Sequence, residues 1–217
     1  MSRVLKGEKL EQELLRLDQM KVYEREYRPA GVICGIDEAG RGPLAGPVVA
    51  GAAILPEDCQ ILYLNDSKKL SEKRREELFL EIREKAVSWA VGIVSPQDID
   101  DINILQATYK AMRQAVSQLT PSPQVLLNDA VTIPGIPETM TQVPIIKGDA
   151  KSVSIAAASI LAKVTRDHMM AEYDKLYPEY GFARHKGYGT AAHIAAVREY
   201  GPCPIHRRSF ITRFVEP

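Results

Sequence analysis

The sequence predicts an α/β fold, with a sheet that is flanked by helices and with helical additions at both termini. Short apolar runs of strand length alternate with longer segments in which apolar residues repeat at helical spacing. The first two runs are joined by a turn rich in glycine and proline, so they are expected to pair as antiparallel strands. The later runs are separated by helical segments, which is typical of an open sheet whose strands are connected by crossover helices.

Length and composition limit the class of protein. A chain of 217 residues with 45% hydrophobic content is expected to form one main domain with a sizeable core. The formal net charge is zero, so any site for a polyanion must come from local clusters of charge. The three cysteines have no Cys-x-x-Cys spacing, which disfavours a disulfide framework or a zinc site. The sequence shows neither a signal peptide nor a run of about 18 apolar residues, so a cytoplasmic protein without a membrane span is expected.

The N-terminal residues are predicted to form an amphipathic helix. Leucine and methionine residues repeat at helical spacing over residues 7–28, and Pro29 and Gly31 are expected to end the helix. Its acidic and basic side chains nearly balance, so packing against the rest of the protein is its expected role.

The first two predicted strands, residues 31–37 and 47–55, enclose the most informative turn. The first strand ends at the adjacent acids Asp37 and Glu38. A carboxylate at the end of a buried strand is costly unless it is solvated, paired or bound to a cation. The Gly-Arg-Gly sequence at 40–42 follows, where main chain and guanidinium can both approach a phosphate or a sugar. The glycine spacing fits neither a P-loop nor a dinucleotide-binding fingerprint.

The next segments place two lysines at the start of a helix. Ser71 is expected to cap a helix over residues 72–87, and a third strand is predicted at 88–94. Lys68 and Lys69 lie in the loop before that helix, where a phosphate would meet ammonium groups and free backbone N–H groups.

A pattern of apolar residues followed by an acid recurs after a helix predicted at 103–119. Two more strands are expected, at 124–129 and 143–149, and each ends in an aspartate. Because ligands bind at the carboxyl ends of strands in open sheets with crossover helices, we expect the acids of all three strands to converge there. A helix over residues 151–172, rich in small side chains, is expected to pack close to the sheet beside the last aspartate. Asp167 would lie roughly 27 Å along that helix and is expected outside the acid cluster.

The C-terminal segment carries one aromatic residue in a suggestive place. Tyr188 lies between two glycines and near Lys186, where the ring can stack on a sugar or a base. Thr190 is expected to cap a helix of about residues 190–200. The four histidines fit neither a metalloprotease motif nor a catalytic triad and are interpreted as hydrogen-bonding residues.

Two clusters of basic residues, 66–75 and 184–213, leave two interpretations open. The first cluster holds five lysines or arginines against two acids, and the second holds six against one. Each cluster can be a nucleic-acid contact or a solvated face of the protein.

The candidate metal ligands are four carboxylates: Asp37, Glu38, Asp129 and Asp149. Carboxylates that meet in space repel one another unless divalent cations neutralise them. Oxygen ligands without a partnering histidine or cysteine motif suit Mg²⁺ or Mn²⁺ rather than Zn²⁺. Two such ions about 3.5 to 4 Å apart are the usual device for hydrolysing phosphodiesters. The alternative, that each acid is an unconnected loop residue, is disfavoured because the pattern occurs three times.

Four blocks of the sequence match one known pattern: Ile36 to Pro43, Asp66 to Leu70, Ala157 to Asp167 and His185 to Thr190. At these blocks, and from about residue 31 to 210, the chain resembles type 2 ribonuclease H (bacterial ribonuclease HII). The resemblance implies an RNase H-like fold with a five-stranded mixed sheet. It divides the chain into an N-terminal extension (1–30), a catalytic core (31–177) and a C-terminal helical substrate-binding segment (178–217).

The resemblance also implies an activity. Enzymes of this family use Mg²⁺ or Mn²⁺ to hydrolyse RNA in RNA/DNA hybrids. They also cut on the 5′ side of single ribonucleotides embedded in duplex DNA, leaving 3′-hydroxyl and 5′-phosphate ends, which initiates ribonucleotide removal. A monomer is expected, with hybrid and ribonucleotide-containing duplex as its partners.

Individual roles follow from the resemblance. Asp37, Glu38, Asp129 and Asp149 match the metal-binding and catalytic acids. Gly40, Arg41 and Gly42 match the loop that senses the ribose 2′-hydroxyl, Tyr188 matches the tyrosine that stacks on the next deoxyribose, and Lys68 is placed as a phosphate contact. Ala130 stands where a glycine is expected, so the loop after Asp129 is expected to differ in shape.

Two other functions stay open at this point. One is a nuclease of the same superfamily without selectivity for ribonucleotides. The other is a non-catalytic nucleic-acid-binding protein that uses the two basic clusters.

Overall fold

A five-stranded mixed sheet forms the centre of the computed structural model, which describes residues 6–215. The strands are β1 (Ile33–Ala39), β2 (Val48–Ile54), β3 (Ser88–Val94), β4 (Val125–Asp129) and β5 (Thr141–Ile145). Their order in the sheet is β3-β2-β1-β4-β5. The pairs β1–β2 and β2–β3 are antiparallel, whereas β1, β4 and β5 run parallel. The predicted α/β class and the antiparallel pairing of the first two strands are confirmed.

Helices cover both faces of this sheet. They are α1 (Glu8–Gln19), α2 (Val22–Tyr27), α3 (Glu72–Lys85), α4 (Pro96–Ile102), α5 (Ile104–Ser117), α6 (Val153–Leu176), α7 (Phe182–His185), α8 (Ala191–Tyr200) and α9 (Arg208–Val215). One apolar core lies between α5 and the sheet, and a second lies between the sheet, α6 and α3. Within residues 6–215 we find no helix with the length and apolar character needed to span a lipid bilayer.

The helix α6 lies unusually close to the sheet. A Cβ atom at Gly35 would clash with the backbone of Ser154, and one at Gly51 would clash with the backbone of Ala158. Small side chains on α6 and glycines on the strands therefore let the two backbones touch. This close packing, which the sequence predicted, places the first turn of α6 against the middle of β1 and the next turn, at Ala158, against Gly51, which is opposite Asp37 in the sheet.

The prediction of a single N-terminal helix over residues 7–28 is wrong in one respect, because the chain turns at Met20 and Lys21 and forms two helices. The Met20 carbonyl accepts a hydrogen bond from the Val153 N–H group at the start of α6. The buried Glu24 carboxylate accepts two more, from the Ser152 hydroxyl and the Ser154 N–H group. The turn thus lets the N-terminal segment cap α6.

Two other elements differ from the predictions. The helix α4 was not predicted, although Ser95 caps it through the Asp98 N–H group and Pro96 occupies its first turn. The last strand was predicted at 143–149 but ends at Ile145, because Lys147 adopts a left-handed conformation with φ of 58°. The predicted caps at Ser71 and Thr190 are present.

The C-terminal helices α7, α8 and α9 form a third apolar cluster, which also includes Leu44, Ala45 and Met170. The division of the chain at residues 30 and 177 stays a prediction. The first five residues of the predicted N-terminal extension and the last two of the C-terminal segment lie outside the described residues.

Candidate metal and nucleic-acid site

Three of the four predicted acids meet at the carboxyl ends of the parallel strands. Asp37, Asp129 and Asp149 each offer one carboxylate oxygen, and these atoms lie within 4.8 Å of one another. Ile36 is opposite Asn128 in the parallel β1–β4 pair, so the next residue of each strand is one of the first two aspartates. The turn that carries the third is fixed by a 2.7 Å hydrogen bond from the Gly148 N–H group to Asp129 Oδ1.

Glu38, the fourth predicted acid, lies outside this group of three. Its Oε1 atom is 3.4 Å from Arg41 Nη1, and its side chain lines the neighbouring cavity. The structure therefore brings together three of the four predicted ligands, with Glu38 adjacent to them. Its role as a ligand stays a prediction.

The acid cluster is electrostatically unfavourable without a cation. Burial raises the pKa of Asp37 well above its ordinary value, and the charges of Glu38 and Asp129 raise it further. Burial likewise raises the pKa of Asp149, with Asp66 and Asp129 adding to the effect. Buried carboxylates with raised pKa values and oxygen-only ligands fit a hard divalent cation such as Mg²⁺ or Mn²⁺.

The raised pKa values predict how metal binding depends on pH. Folded acids with raised pKa values keep protons that the unfolded chain has lost, so they destabilise the metal-free protein increasingly as pH rises from about 4. A cation must displace these protons, so we expect Mg²⁺ or Mn²⁺ to raise the unfolding temperature little at pH 5 and more at pH 8. Thermal unfolding across this range, with cation or with chelator, measures the effect. The same rise in unfolding temperature at every pH would contradict this expectation.

A cavity of about 210 Å³ lies beside the acids. It contains all five residues that the sequence predicted as substrate contacts: Gly40, Arg41, Gly42, Lys68 and Tyr188. The Tyr188 ring lies against Gly42, with Cε1 3.9 Å from the position that a Cβ atom would take there. The loop at 40–42 and the tyrosine thus form two walls that face each other.

Lys68 links this cavity to the acid cluster. Burial lowers its pKa, but the carboxylates of Asp37 and Asp66, followed by those of Asp149 and Asp129, raise it overall. Asp66 Oδ1 also accepts a 2.9 Å hydrogen bond from the Lys68 N–H group, which fixes the turn. The ammonium group therefore stays charged beside the acids, as a phosphate contact requires.

Three further residues that line the cavity were not predicted from the sequence, and they share one face of α6: Ser159, Lys163 and Arg166. Their spacing of four and then three residues is the helical signal that pointed to a shared face. Asp167 lies outside the acid group, as predicted, but it is buried and accepts a 2.6 Å hydrogen bond from Lys163 Nζ. It therefore orients a cavity lysine.

Two fully buried arginines support the loop from behind. Arg166 is 1% exposed and Arg207 is 0% exposed, and within the described residues neither forms an ion pair. Both donate to backbone carbonyl groups: Arg166 to those of Ala45, Pro47 and Lys186, and Arg207 to those of Gly40, Arg41, Gly46 and Pro47. Burial lowers the pKa of Arg166 to about 10 and that of Arg207 to about 9, so both stay charged at neutral pH. The interpretation of cluster 184–213 as a solvated face or a nucleic-acid contact is therefore wrong for Arg207.

The loop after Asp129 shows why a glycine was expected at position 130. Ala130 has a φ of 55°, in the left-handed region that costs a residue with a Cβ atom about 1 to 2 kcal/mol. The backbone thus keeps a glycine-like conformation although the side chain differs.

The chain matches known proteins over most of its length. A family model described as Ribonuclease HII matches residues 34–213. Ribonuclease HII from Lachnoclostridium phytofermentans is 62% identical over 204 residues, which are 94% of this chain and 80% of the relative. The crystal structure of ribonuclease H2 from Pyrococcus horikoshii OT3 has a TM-score of 0.70 and 30% identity, and the match covers 86% of this chain and 100% of that one.

A more distant solved structure shares the fold. The structure of Bst-RNase HIII in complex with Mn²⁺ has a TM-score of 0.57 at 18% identity, and the match covers 79% of this chain and 63% of that one. The family match, the identity to relatives and the five-stranded mixed sheet all agree. The chain therefore belongs to the ribonuclease HII family of endoribonucleases.

Proposed function

We propose that this enzyme cuts duplex DNA on the 5′ side of a single embedded ribonucleotide and also hydrolyses the RNA strand of RNA/DNA hybrids. The products are 3′-hydroxyl and 5′-phosphate ends, and the cut initiates removal of the ribonucleotide. One observation carries the proposal: two walls suited to a sugar, the loop at 40–42 and Tyr188, face each other beside three converging acids.

The loop is suited to a ribose because its backbone donors are free. The buried Arg207 side chain donates hydrogen bonds to the carbonyl groups of Gly40 and Arg41. Among residues 6–215 there is no acceptor for the N–H groups of positions 40–42. The 2′-hydroxyl, which distinguishes RNA from DNA, can accept such hydrogen bonds. Tyr188 on the opposite wall would stack on the deoxyribose that follows.

The four acids Asp37, Glu38, Asp129 and Asp149 are proposed to hold two divalent cations, Mg²⁺ or Mn²⁺. Bst-RNase HIII, which shares the fold, has been crystallised in complex with Mn²⁺, and this is consistent with a divalent cation as the cofactor. Such ions activate water and stabilise the leaving oxygen in phosphodiester hydrolysis. Lys68 would hold a phosphate of the substrate at the junction of cavity and acid cluster. The enzyme is proposed to act as a monomer.

Cleavage mapping tests the proposal. Three labelled duplexes are incubated with Mg²⁺, with Mn²⁺ or with chelator: one with a lone ribonucleotide, one RNA/DNA hybrid and one of DNA alone. We expect a single cut 5′ to the lone ribonucleotide, cleavage of the hybrid, and no product from DNA alone or with chelator. Equal cutting of all duplexes would indicate a nuclease without ribonucleotide selectivity. Salt-sensitive binding without product would indicate a binding protein.

A further inference from the structure

Both walls of the cavity rest on one short segment, residues 203–207, between α8 and α9. The Gly46 N–H group donates to the Ile205 carbonyl, and the Arg207 N–H group donates to the Leu44 carbonyl, each at 2.9 Å. The Arg207 side chain then reaches beneath the loop at 40–42. The first wall is therefore attached to this segment through backbone and side chain.

The second wall is attached to the same segment through two buried histidines. His206 Nε2 lies 3.0 Å from His193 Nε2, and His193 Nδ1 lies 2.9 Å from the Tyr188 carbonyl oxygen. His206 is 2% exposed and His193 is 0% exposed, so water does not compete for these hydrogen bonds.

The hydrogen bonds fix one proton arrangement for the two rings. The Cys203 N–H group donates to His206 Nδ1 at 3.0 Å, so that nitrogen carries no proton. In a neutral ring the proton is then on Nε2, from which it is donated to His193 Nε2. His193 must therefore carry its own proton on Nδ1 and donate it to the Tyr188 carbonyl. Every ring nitrogen has a hydrogen-bond partner. All three hydrogen bonds run in the same direction, from the Cys203 N–H group through the two rings to the Tyr188 carbonyl group.

The surroundings keep both rings neutral. Burial, together with the neighbouring His193, lowers the pKa of His206 to about 4. Burial also lowers the pKa of His193, which stacks on His185 with ring centroids 4.4 Å apart. The connected hydrogen bonds are therefore intact at neutral pH.

We propose that His206 and His193 are positioning residues that hold Tyr188 in register with the loop at 40–42, that is, at a fixed distance and orientation from it. This register sets the selectivity for the junction between a ribonucleotide and the following deoxyribonucleotide. The inference rests on the proposed function, in which one wall contacts the ribose and the other stacks on the next sugar. A hybrid offers ribose at both positions, so its cleavage depends less on the register.

Two substitutions at position 206 separate positioning from packing. In His206→Gln the amide nitrogen takes the place of Nε2 and can still donate to His193. In His206→Asn the amide oxygen takes the place of Nδ1 and accepts the Cys203 N–H group, but the side chain is too short to reach His193. Both variants remove the ring, so they form a matched pair.

The readout is kcat/KM on the lone-ribonucleotide duplex divided by kcat/KM on the hybrid. We expect this ratio to fall roughly 5- to 10-fold in His206→Asn, the size of one lost hydrogen bond, and to stay within about 2-fold in His206→Gln. Thermal unfolding is measured for both variants. If His206→Asn does not fold, His193→Asn is used instead, because it removes the other partner of the same hydrogen bond between His206 and His193.

The outcomes are distinct. If the wild type is selective and the ratio is unchanged in His206→Asn, the inference alone is overturned. The same holds if the ratio falls equally in both variants, in proportion to their loss of stability. A wild type that cuts the lone-ribonucleotide duplex no better than DNA alone overturns the proposed function and the inference with it.

Discussion

The substitution Asp37→Asn is expected to abolish cleavage and to make the metal-free protein more stable. Asp37 is buried, and its carboxylate lies within 4.8 Å of those of Asp129 and Asp149. The amide keeps the shape but removes one charge from the cluster and one ligand from the proposed cation site. We expect activity to fall by roughly 10²- to 10³-fold or more. The free energy of unfolding without metal should rise, because the substitution removes a buried carboxyl group whose pKa is raised by burial and by the charges of Glu38 and Asp129.

Cleavage of the lone-ribonucleotide duplex and denaturant unfolding in chelator measure these two effects. Asp58→Asn is the matched control, because Asp58 is an exposed aspartate outside the site. Asp58→Asn should change neither the cleavage rate nor the free energy of unfolding in chelator. Full activity in Asp37→Asn would remove the site assignment. A loss of metal-free stability would contradict the account based on charge repulsion.

The glycines on either side of Arg41 are expected to respond very differently to alanine. Gly40 has a φ of 97°, and a Cβ atom there would clash with the Arg166 side chain and the Pro47 carbonyl. We expect Gly40→Ala to lower the free energy of unfolding by about 2 to 4 kcal/mol, from backbone strain and overpacking together. At Gly42 a Cβ atom would meet only the Tyr188 ring, at 3.9 Å. Gly42→Ala should therefore stay within about 0.5 kcal/mol of the wild type.

Gly42→Ala thus tests the cavity without disturbing the fold. The added methyl group would stand between the two walls, so kcat/KM on the lone-ribonucleotide duplex should fall while the unfolding temperature is kept. Unfolding and cleavage are measured on both variants. Unchanged cleavage by Gly42→Ala would place the ribose elsewhere, and a stable Gly40→Ala would contradict the close contact with Arg166.

The sequence predicted most of the sheet and part of the site for a clear physical reason. Asp37 and Asp129 end or nearly end buried strands, so a local apolar pattern was enough to place them at the same edge. Asp149 was harder to place, because the left-handed residue Lys147 ends β5 and a separate turn carries the acid.

The supports of the site could not be predicted from local pattern. Arginine is almost always at least partly exposed, so neither Arg166 nor Arg207 stood out from other basic residues. Their acceptors lie more than a hundred residues away for most of these hydrogen bonds. The link between His193 and His206 likewise depends on how two C-terminal segments pack, and the spacing of the two residues matches no motif.

Arg166 and Arg207 donate hydrogen bonds to carbonyl groups of the turn at residues 40–47. These hydrogen bonds have a thermodynamic consequence. The loop's shape is set before any ligand arrives, so the conformational entropy of ordering it is lost when the chain folds rather than when the duplex binds. Affinity for a nucleic acid that fits this shape is not reduced by the cost of arranging the protein around it.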